Sequence, residues 1–325
     1  MVDVSVLLVT YNSREAIGDC LSSLSRVEGC AIEILVADNA SSDGTPEFVR
    51  RGWPEARVFP MEANLGFARA NNRLIARASG RHLMLLNPDT VVDPQVIARL
   101  MSFLDGNPRS GVAAPRLVNP DLTDQQTARS FPTPAAALLG RRSPLTRAFP
   151  NNRWSRRYLS GRDRSGSEPF EVDWVSGAAL MVPGTVIDEV GPLDESFFMY
   201  WEDADWCRRI KAAGFGVFCV PAARVVHDEG VTNRSLPARQ VWQFHRSAYR
   251  YYAKHHLPGA LRWLRVPAGA ALAARGALVV MSGWMAVGGQ TKPIAFSEGG
   301  EPTRTGSKLP SPSRAHTELG GRSTR

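Results

Sequence analysis

Cysteine is scarce in this sequence of 325 residues. The four cysteines, at positions 20, 30, 207 and 219, form no CxxC pair and no Cys/His spacing typical of a zinc site. So few cysteines exclude a disulfide-built scaffold and predict a protein of a reducing compartment. The N-terminal apolar run also lacks the basic region and the cleavage site of a signal peptide. We therefore interpret it as a first β-strand and expect a cytoplasmic protein.

Lysine is rare as well, whereas arginine is abundant and unevenly placed. Only four of the 39 basic residues are lysine. Residues 128–167 carry nine arginines against Asp163 alone, and residues 231–265 carry six arginines and Lys254 with no acidic residue. Such stretches suit nucleic acid, anionic lipid or diphosphate ligands, and a solvated loop is the alternative for the first of them. No RRM, KH or helix-turn-helix pattern accompanies them, so we expect no nucleic-acid partner.

Strand and helix patterns alternate through the first third of the chain. Buried strands are predicted at 4–9, 32–38, 57–60 and 82–86, where the sequence is apolar. Helices are predicted from Ile17, from Pro46, over 67–79 with Gly80 as the C-terminal glycine, and over 94–105 with Pro94 as the first helical residue. This alternation predicts an α/β fold with a Rossmann-like, mostly parallel sheet and helices on both faces.

The rest of the chain is less regular. Residues 119–170, rich in Pro, Ser, Arg and Asn, are interpreted as a long, partly mobile basic loop. The patterns then predict two short strands in 170–182, a helix over 203–213 with Trp206, Ile210 and Ala213 on one face, a strand over 215–226 and a helix over 236–256. We expect a main domain at 1–230, a helical segment at 231–289 and a disordered tail at 290–325.

An apolar run over residues 268–287 contains one charge, Arg275. It is long enough to cross a bilayer, but its many Ala and Gly residues and the central arginine weaken that interpretation. A helix lying in the membrane interface is preferred. Its anchors would be Arg262, Trp263, Arg265 and Trp284. A membrane-spanning helix and a soluble packing helix remain the alternatives.

Polar residues follow the predicted strands at the point where each strand ends. Thr10-Tyr11-Asn12 follow the first strand, Asp38-Asn39-Ala40-Ser41 the second and Asn87-Pro88-Asp89 the fourth. In an open α/β sheet these ends meet at the edge where ligands bind. One carboxylate at a strand end is commonly an N-cap or a turn former. Three such loops together favour a ligand site.

Each of these loops suits one part of a nucleotide. Asp38 can accept from a base N–H or a ribose hydroxyl, Tyr11 can stack on a base, and Asp89 can hold Mg²⁺ or Mn²⁺ bridging a diphosphate. The sequence has no GxGxxG and no GxxxxGK[ST] at a strand–helix junction, so neither a dinucleotide fold nor a P-loop is supported. A metal ion is then the natural candidate to neutralise phosphate charge.

A second acidic cluster opens the helix predicted at 203–213. It contains Glu202, Asp203 and Asp205 beside Trp201. One acidic residue would be enough to cap the N-terminus of the helix and complement its dipole. Three exceed that need, so a carboxylate here is a candidate to deprotonate a hydroxyl. His227 closes the last strand of the predicted core. It is either a structural histidine or, in a fold that needs a metal, a ligand.

Seven stretches of this sequence, taken in order, resemble a known family. They are VTYNS (9–13), VADNASSDGT (36–45), NLGFARANN (64–72), LLNPDTVV (85–92), WVSGAALMV (174–182), GPLDESFFMYWEDADWCRRIKAAGF (191–215) and VVH (225–227). The chain is similar to the family 2 inverting glycosyltransferases with the GT-A fold, most closely the bacterial rhamnosyltransferase-like branch. The resemblance covers residues 3–255.

The resemblance implies roles for individual residues. The donor site would comprise Thr10, Tyr11, Asn12, Asp38, Asn39, Ser41, Asn64, Gly66, Asn71 and Asn87. Asp89 and His227 would hold the metal, and Asp203 would be the catalytic base. Trp174, Gly177, Trp201, Glu202 and Asp205 would line the acceptor or sugar pocket, although the tryptophans could equally be core residues and the acids could simply cap the helix. Asn87 departs from the family's DXD pattern and leaves Asp89 as the one strong carboxylate there.

The same resemblance implies transfer of a sugar from a nucleotide donor, with dTDP-L-rhamnose expected, by a metal-assisted single displacement. The basic stretches and the apolar run suit a polyprenyl-diphosphate-linked or cell-envelope glycan as acceptor, at the inner face of the plasma membrane. A non-catalytic sugar-nucleotide or glycan binding protein is the alternative, and Asp203 together with Asp89 and His227 argues against it. A nucleotidyltransferase is disfavoured because its Gly-rich basic N-terminal loop is missing.

Overall fold

Apolar strands and amphipathic helices alternate in the N-terminal part of the chain. The fold is known from a computed structural model that describes residues 2–125, 127–133, 166–228 and 238–288, with side chains to 281. The first elements are β1 (Val4–Thr10), α1 (Ile17–Leu24), β2 (Ile32–Asp38), α2 (Thr45–Gly52), β3 (Ala56–Pro60), α3 (Phe67–Ile75) and β4 (His82–Leu86). The four strands are mutually parallel in the order β3-β2-β1-β4.

The chain continues with further helices and strands, and most of these strands join this sheet and make it mixed. They are β5 (Thr90–Val92), α4 (Val96–Gly106), β6 (Ser110–Val118), β7 (Asp124–Gln125), β8 (Ala128–Arg129), β9 (Phe170–Val172), β10 (Trp174–Val175), β11 (Ala179–Pro183), α5 (Gly184–Val190), α6 (Glu202–Ala212) and β12 (Gly216–His227). The sheet continues β4-β11-β6-β12-β5, with β11 antiparallel to β4 and β12 antiparallel to β5. This architecture confirms the predicted α/β fold with a mostly parallel sheet.

Both faces of the sheet are covered by apolar side chains. Along β1, Val6 and Leu8 belong to one buried cluster with α1 and α4, whereas Leu7 belongs to the other, with α3 and α6. The alternation follows from the two-residue period of a strand. Burial on both faces explains why the strands are continuous apolar runs.

Two C-terminal helices follow the sheet. They are α7 (Ala238–His255) and α8 (Arg265–Gly288), joined by a 3-10 turn at Gly259–Leu264. Leu272 of α8 is buried, and a β-carbon at Gly276 would lie 3.3 Å from Trp242 of α7, so small residues let the helices approach closely. Residues 1–282 form one compact unit and 283–325 a second. Within the described residues, the segment Gly259–Met281 is long and apolar enough to cross a membrane.

Some predicted element boundaries are wrong. Helix α3 ends at Ile75, four residues earlier than predicted, and Gly80 is not its C-terminal glycine. Gly80 instead passes beside β1, where a β-carbon would lie 2.5 Å from the backbone nitrogen of Ser5. Ala213 is exposed and caps the C-terminus of α6, which ends at Ala212, so it does not share the buried face of Trp206 and Ile210.

Other differences are smaller. Pro94 precedes α4, which begins at Val96, and 170–182 contains three short strands rather than two. Part of the expected basic loop, residues 134–165, lies outside the described residues, as does the tail predicted at 290–325.

We expect Gly80→Ala to destabilise the protein by about 1–3 kcal/mol, because the added methyl group meets the β1 backbone and not a movable side chain. Urea unfolding followed by circular dichroism measures this change. Gly52→Ala is the matched control, since a β-carbon at Gly52 meets nothing within 4 Å. Equal stability of the two variants would contradict the assignment of Gly80 to a close backbone contact.

Candidate active site

The side chain of Asp38 joins the ends of two neighbouring strands. Thr10 and Asp38 are paired in the β1–β2 register, and the Thr10 hydroxyl donates to Asp38 Oδ1 over 2.9 Å. Ser41 donates twice to the same carboxylate, from its hydroxyl to Oδ1 (2.6 Å) and from its backbone N–H to Oδ2 (2.9 Å). Asp38 is buried, so these three bonds stabilise a carboxylate that would otherwise be costly to bury.

Hydrogen bonds join the loop after β1 to the loop after β2. The Asn12 N–H donates to Ser41 Oγ over 2.9 Å, and the Ser42 N–H donates to Asn12 Oδ1 over 2.8 Å. Asn12 has a left-handed backbone (φ 51°), which asparagine tolerates well. Beside it the Tyr11 side chain is half exposed, so its ring is accessible to a ligand.

Amide side chains hold the segment before α3. Buried Asn39 donates to the Gly66 carbonyl and accepts from the Leu65 N–H, each over 3.3 Å. Asn64 Oδ1 accepts from the Gly66 N–H over 3.0 Å. The side chains of Asn39 and Asn64 therefore position this loop. Asn71 differs, because its buried Oδ1 has no hydrogen-bond partner among the described residues.

The turn between β4 and β5 meets the end of β12. His227 pairs with Thr90 in the β12–β5 register, and its Nε2 lies 3.3 Å from Asp89 Oδ1 and 3.4 Å from Asn87 Nδ2. Its Nδ1 lies 2.9 Å from Gln125 Oε1, an atom that can only accept a hydrogen bond. Nδ1 therefore donates to Gln125, and this bond turns Nε2 toward the Asp89 carboxylate.

The His227 nitrogen and the Asp89 oxygen are suitable ligand atoms for a divalent cation. An imidazole nitrogen and a carboxylate oxygen are both common metal ligands, and a hydrogen-bonded second nitrogen is the usual way of orienting such a histidine. Within the described part of the chain, no group of three or more His, Cys, Asp or Glu side chains could hold a metal ion. Asp89 and His227 would therefore supply only part of the coordination.

Asp203 lies in the first turn of α6. The Gly177 N–H, between β10 and β11, donates to Asp203 Oδ2 over 2.9 Å, and the Ala204 N–H donates to Oδ1 over 2.8 Å. Burial raises the pKa of Asp203, while these N–H groups and the charge of Arg129 oppose the rise. The fold thus brings Gly177 and Asp203, two of the predicted site residues, into contact.

Glu202 is buried directly beside Asp203. Burial, and secondarily the Asp203 charge, raises the pKa of Glu202 to about 8. Its Oε2 and the Nε1 of the preceding Trp201 are both buried without a hydrogen-bond partner among the described residues. Both polar atoms are enclosed by the protein in this conformation.

Two residues expected in the acceptor pocket are instead part of the scaffold. Asp205 is fully buried and binds Arg209 of α6 (3.0 Å) together with Lys254 (2.8 Å) and His255 (2.6 Å) of α7. Trp174 is buried in the core and donates to the Ser130 carbonyl over 3.0 Å. We therefore do not retain these two side chains as proposed acceptor contacts.

Two residues near the site were missed by sequence reasoning. Gln125 orients His227 from β7, and Arg129 of β8 lies over the Trp174 ring at 4.8 Å, near Asp203. Arg129 stood within the basic stretch, but nothing in the sequence distinguished it from the other arginines. No local sequence pattern marks Gln125 as a residue of the site.

Comparison with known proteins identifies the family. Residues 5–180 match the model of Glycosyl transferase family 2. The chain is 32% identical over 279 residues to the N-acetylglucosaminyl-diphospho-decaprenol L-rhamnosyltransferase of Mycobacterium tuberculosis, covering 82% of this chain and 88% of that relative. It is 26% identical over 233 residues to the Low-salt glycan biosynthesis hexosyltransferase Agl10 of Haloferax volcanii, covering 70% and 68%.

Solved structures agree on the fold. The mannosyltransferase PcManGT of Pyrobaculum calidifontis, in complex with GDP-Man and Mn²⁺, matches with a TM-score of 0.55 and 18% identity, over 87% of this chain and 80% of that one. GalNAc-T7 with UDP, GalNAc and Mn²⁺ matches with a TM-score of 0.53 and 16% identity, over 82% and 54%. The chain belongs to glycosyl transferase family 2, has the GT-A fold and is a glycosyltransferase.

We expect Glu202→Gln to stabilise the protein increasingly as the pH rises. The raised pKa means that the folded state favours the neutral carboxyl. That contribution is complete below the ordinary glutamate pKa and is lost as the pH rises through the folded value of about 8, whereas glutamine cannot ionise. Urea unfolding at about pH 5 and about pH 9 measures the difference between variant and wild type. The exposed Glu47→Gln is the control, and a pH-independent difference for Glu202→Gln would contradict the burial argument.

Proposed function

We propose that this glycosyltransferase moves L-rhamnose from dTDP-L-rhamnose to a hydroxyl of a polyprenyl-diphosphate-linked N-acetylglucosamine, with inversion at the anomeric carbon. The observation that carries the proposal is the 32% identity to an N-acetylglucosaminyl-diphospho-decaprenol L-rhamnosyltransferase over most of both chains. A shorter match, 33% identical over 86 residues, to the rhamnosyltransferase WbbL of Escherichia coli supports the same sugar.

The donor nucleoside binds at the ends of β1 and β2 in this proposal. Three hydrogen bonds fix the Asp38 carboxylate, and the half-exposed Tyr11 directly follows Thr10, which donates one of those bonds. A carboxylate held in this way can accept from a base N–H or from a ribose hydroxyl without moving, which lowers the entropic cost of binding.

Asp89 and His227 would hold a divalent metal ion beside the donor diphosphate, and the diphosphate oxygens and water would complete the coordination. The ligand atoms of Asp89 and His227 described above support this proposal. Two proteins of the same fold were solved with Mn²⁺. Such an ion, when bound, neutralises negative charge on the departing nucleoside diphosphate. Asn87, with an amide in place of a carboxylate, orients toward His227 and adds no charge.

Asp203 is the proposed general base. The acceptor hydroxyl oxygen forms a bond to the anomeric carbon as the bond from that carbon to the diphosphate oxygen breaks, and the hydroxyl proton passes to Asp203. The N–H groups of Gly177 and Ala204 hold both carboxylate oxygens in place. Burial raises the basicity of this group, which favours proton transfer near neutral pH. One displacement from the opposite face inverts the configuration without a covalent enzyme intermediate.

The C-terminal helices are proposed to lie on the cytoplasmic face of the membrane and to present the lipid-linked acceptor to the domain at 1–230. One side of α8 packs on α7 through Leu272 and Gly276, while apolar side chains point outward. The exposed apolar residues are Leu261, Trp263, Val266, Leu278 and Met281. Arg262 and Arg265 lie among them, a combination suited to an anionic lipid surface.

We expect Asp203→Asn to lower nucleotide release about 100-fold or more while donor binding stays within about threefold, because only the proton acceptor is lost. Nucleotide release is measured with dTDP-rhamnose, UDP-galactose, UDP-glucose and GDP-mannose, with Mn²⁺ or with EDTA, and calorimetry measures binding. The exposed Asp188→Asn on α5 is the control. Full activity of Asp203→Asn would refute the assigned base, and release from another donor alone would refute rhamnose transfer.

We expect the protein to co-sediment with phosphatidylcholine vesicles containing phosphatidylglycerol, and more weakly with pure phosphatidylcholine. Replacing Trp263 and Val266 by serine removes exposed apolar groups and should weaken binding about tenfold or more. Leu122→Ser removes an equally exposed leucine from the turn between β6 and β7 and should leave binding unchanged. Equal binding of all three proteins would contradict the interfacial placement.

A further inference from the structure

The chain makes an unusual corner directly before the proposed base. Tyr200 and Trp201 both have left-handed backbones, with φ of 69° and 72°. Side chains with a β-carbon rarely adopt this conformation, and two in succession need support from their surroundings. Glu202 and Asp203 come directly after Trp201 and are the first residues of α6. The backbone at Tyr200 and Trp201 therefore sets the position of the Asp203 side chain.

Polar side chains of α7 hold the backbone that leads into this corner. The Ser247 hydroxyl donates to the Met199 carbonyl over 2.8 Å. The Arg250 guanidinium donates to the Ser196 carbonyl. Because residues 247 and 250 are one turn apart, one face of α7 supplies both bonds. Ser247 is fully buried, so its hydroxyl is shielded from competing water.

Aromatic side chains of α7 hold the corner itself. The Trp201 ring lies 5.5 Å from the ring of Phe244, 5.3 Å from Tyr251 and 5.8 Å from Tyr252, measured between centroids. The Tyr200 ring lies 5.8 Å from the same Phe244. Phe244 thus contacts both left-handed residues. Rings at these separations attract one another and resist rotation of the tryptophan.

The same segment is held from the other side by α3. The Phe67 N–H donates to the Phe198 carbonyl over 2.6 Å. The Asn72 side chain forms a reciprocal pair with the Leu193 backbone, at 2.9 and 3.1 Å. Residues 193–201 are therefore clamped between α3, next to the proposed donor site, and α7, which lies beyond the residues that match the family model.

We propose that α7 positions the catalytic base, and that Ser247 and Phe244 are positioning residues that act on Asp203 through the left-handed corner. Neither residue is assigned a contact with substrate. Loosening the corner lets Asp203 and the Gly177 N–H drift apart, which misplaces the proton acceptor without disturbing Asp38 or the donor site. The inference rests on the proposed role of Asp203 as base.

The test compares Ser247→Ala and Phe244→Ala with wild type. We expect kcat to fall about 10- to 100-fold, since a small misplacement of a catalytic group has effects of that size. KM and Kd for the donor should stay within about twofold. The stoichiometry of donor binding, measured by calorimetry, gives the fraction of the protein that is folded. The value of kcat is then calculated per folded molecule. Phe244 is partly exposed, so Phe244→Ala is expected to fold. This variant therefore tests the proposal even if Ser247→Ala does not fold.

Trp242→Ala is the matched control. It removes a larger exposed ring from the same helix, on the side that meets Gly276 of α8 and away from the corner. Its kcat should match wild type. A kcat within twofold of wild type for Phe244→Ala, or an equal loss for Trp242→Ala, would overturn the proposal.

A second measurement separates this proposal from the assignment of the donor. Amide hydrogen exchange over residues 196–204 should quicken in Ser247→Ala and Phe244→Ala and not in Trp242→Ala. This readout needs no turnover. Wild-type enzyme that releases nucleotide from no donor would count against the proposed function, whereas unchanged exchange in the two variants would overturn the role of α7 whichever sugar is transferred.

Discussion

The parallel pairing of β1 with β2 and β4 is the constraint on which the rest of this structure depends. Its register sets Thr10 opposite Asp38, so a hydroxyl and a carboxylate meet at the point where the strands leave the core. The carboxylate then organises Ser41 and, through it, Asn12. A buried charge with three hydrogen bonds permits little local rearrangement, which makes this edge a rigid platform.

The other half of the site depends on helix packing. Asp203 stands on α6, and α6 is fastened to α7 through the buried Asp205, whose oxygens bind Arg209 from the same helix and Lys254 and His255 from the other. Breaking a buried ionic cluster of this kind leaves an uncompensated charge. The C-terminal helices are therefore joined to the site and are more than an appendage of the domain at 1–230.

Prediction from the sequence succeeded where the signal is local. Strands β1, β2 and β4 are continuous apolar runs, and the pattern of α6 is strongly helical, so their positions follow from side-chain periodicity. It failed for the end of α3, because Gly80 is typical of a helix terminus yet is required by a close approach to Ser5. Gly80 approaches a residue 75 positions away in the chain, and no local pattern records that contact.

The sequence by itself determined the α/β fold, the polar strand ends and the candidate roles of Asp38 and Asp89, because each depends on residue type and position along a strand. The resemblance to the family implied the candidate role of Asp203. The tertiary structure decided which of the buried acids are paired with basic side chains and which are not. Glu202 and Asp205 lie three residues apart in one helical turn, yet one has an unpartnered oxygen among the described residues and the other is enclosed by basic side chains. Burial and pairing with distant residues made that difference, and both arise only when the chain is folded.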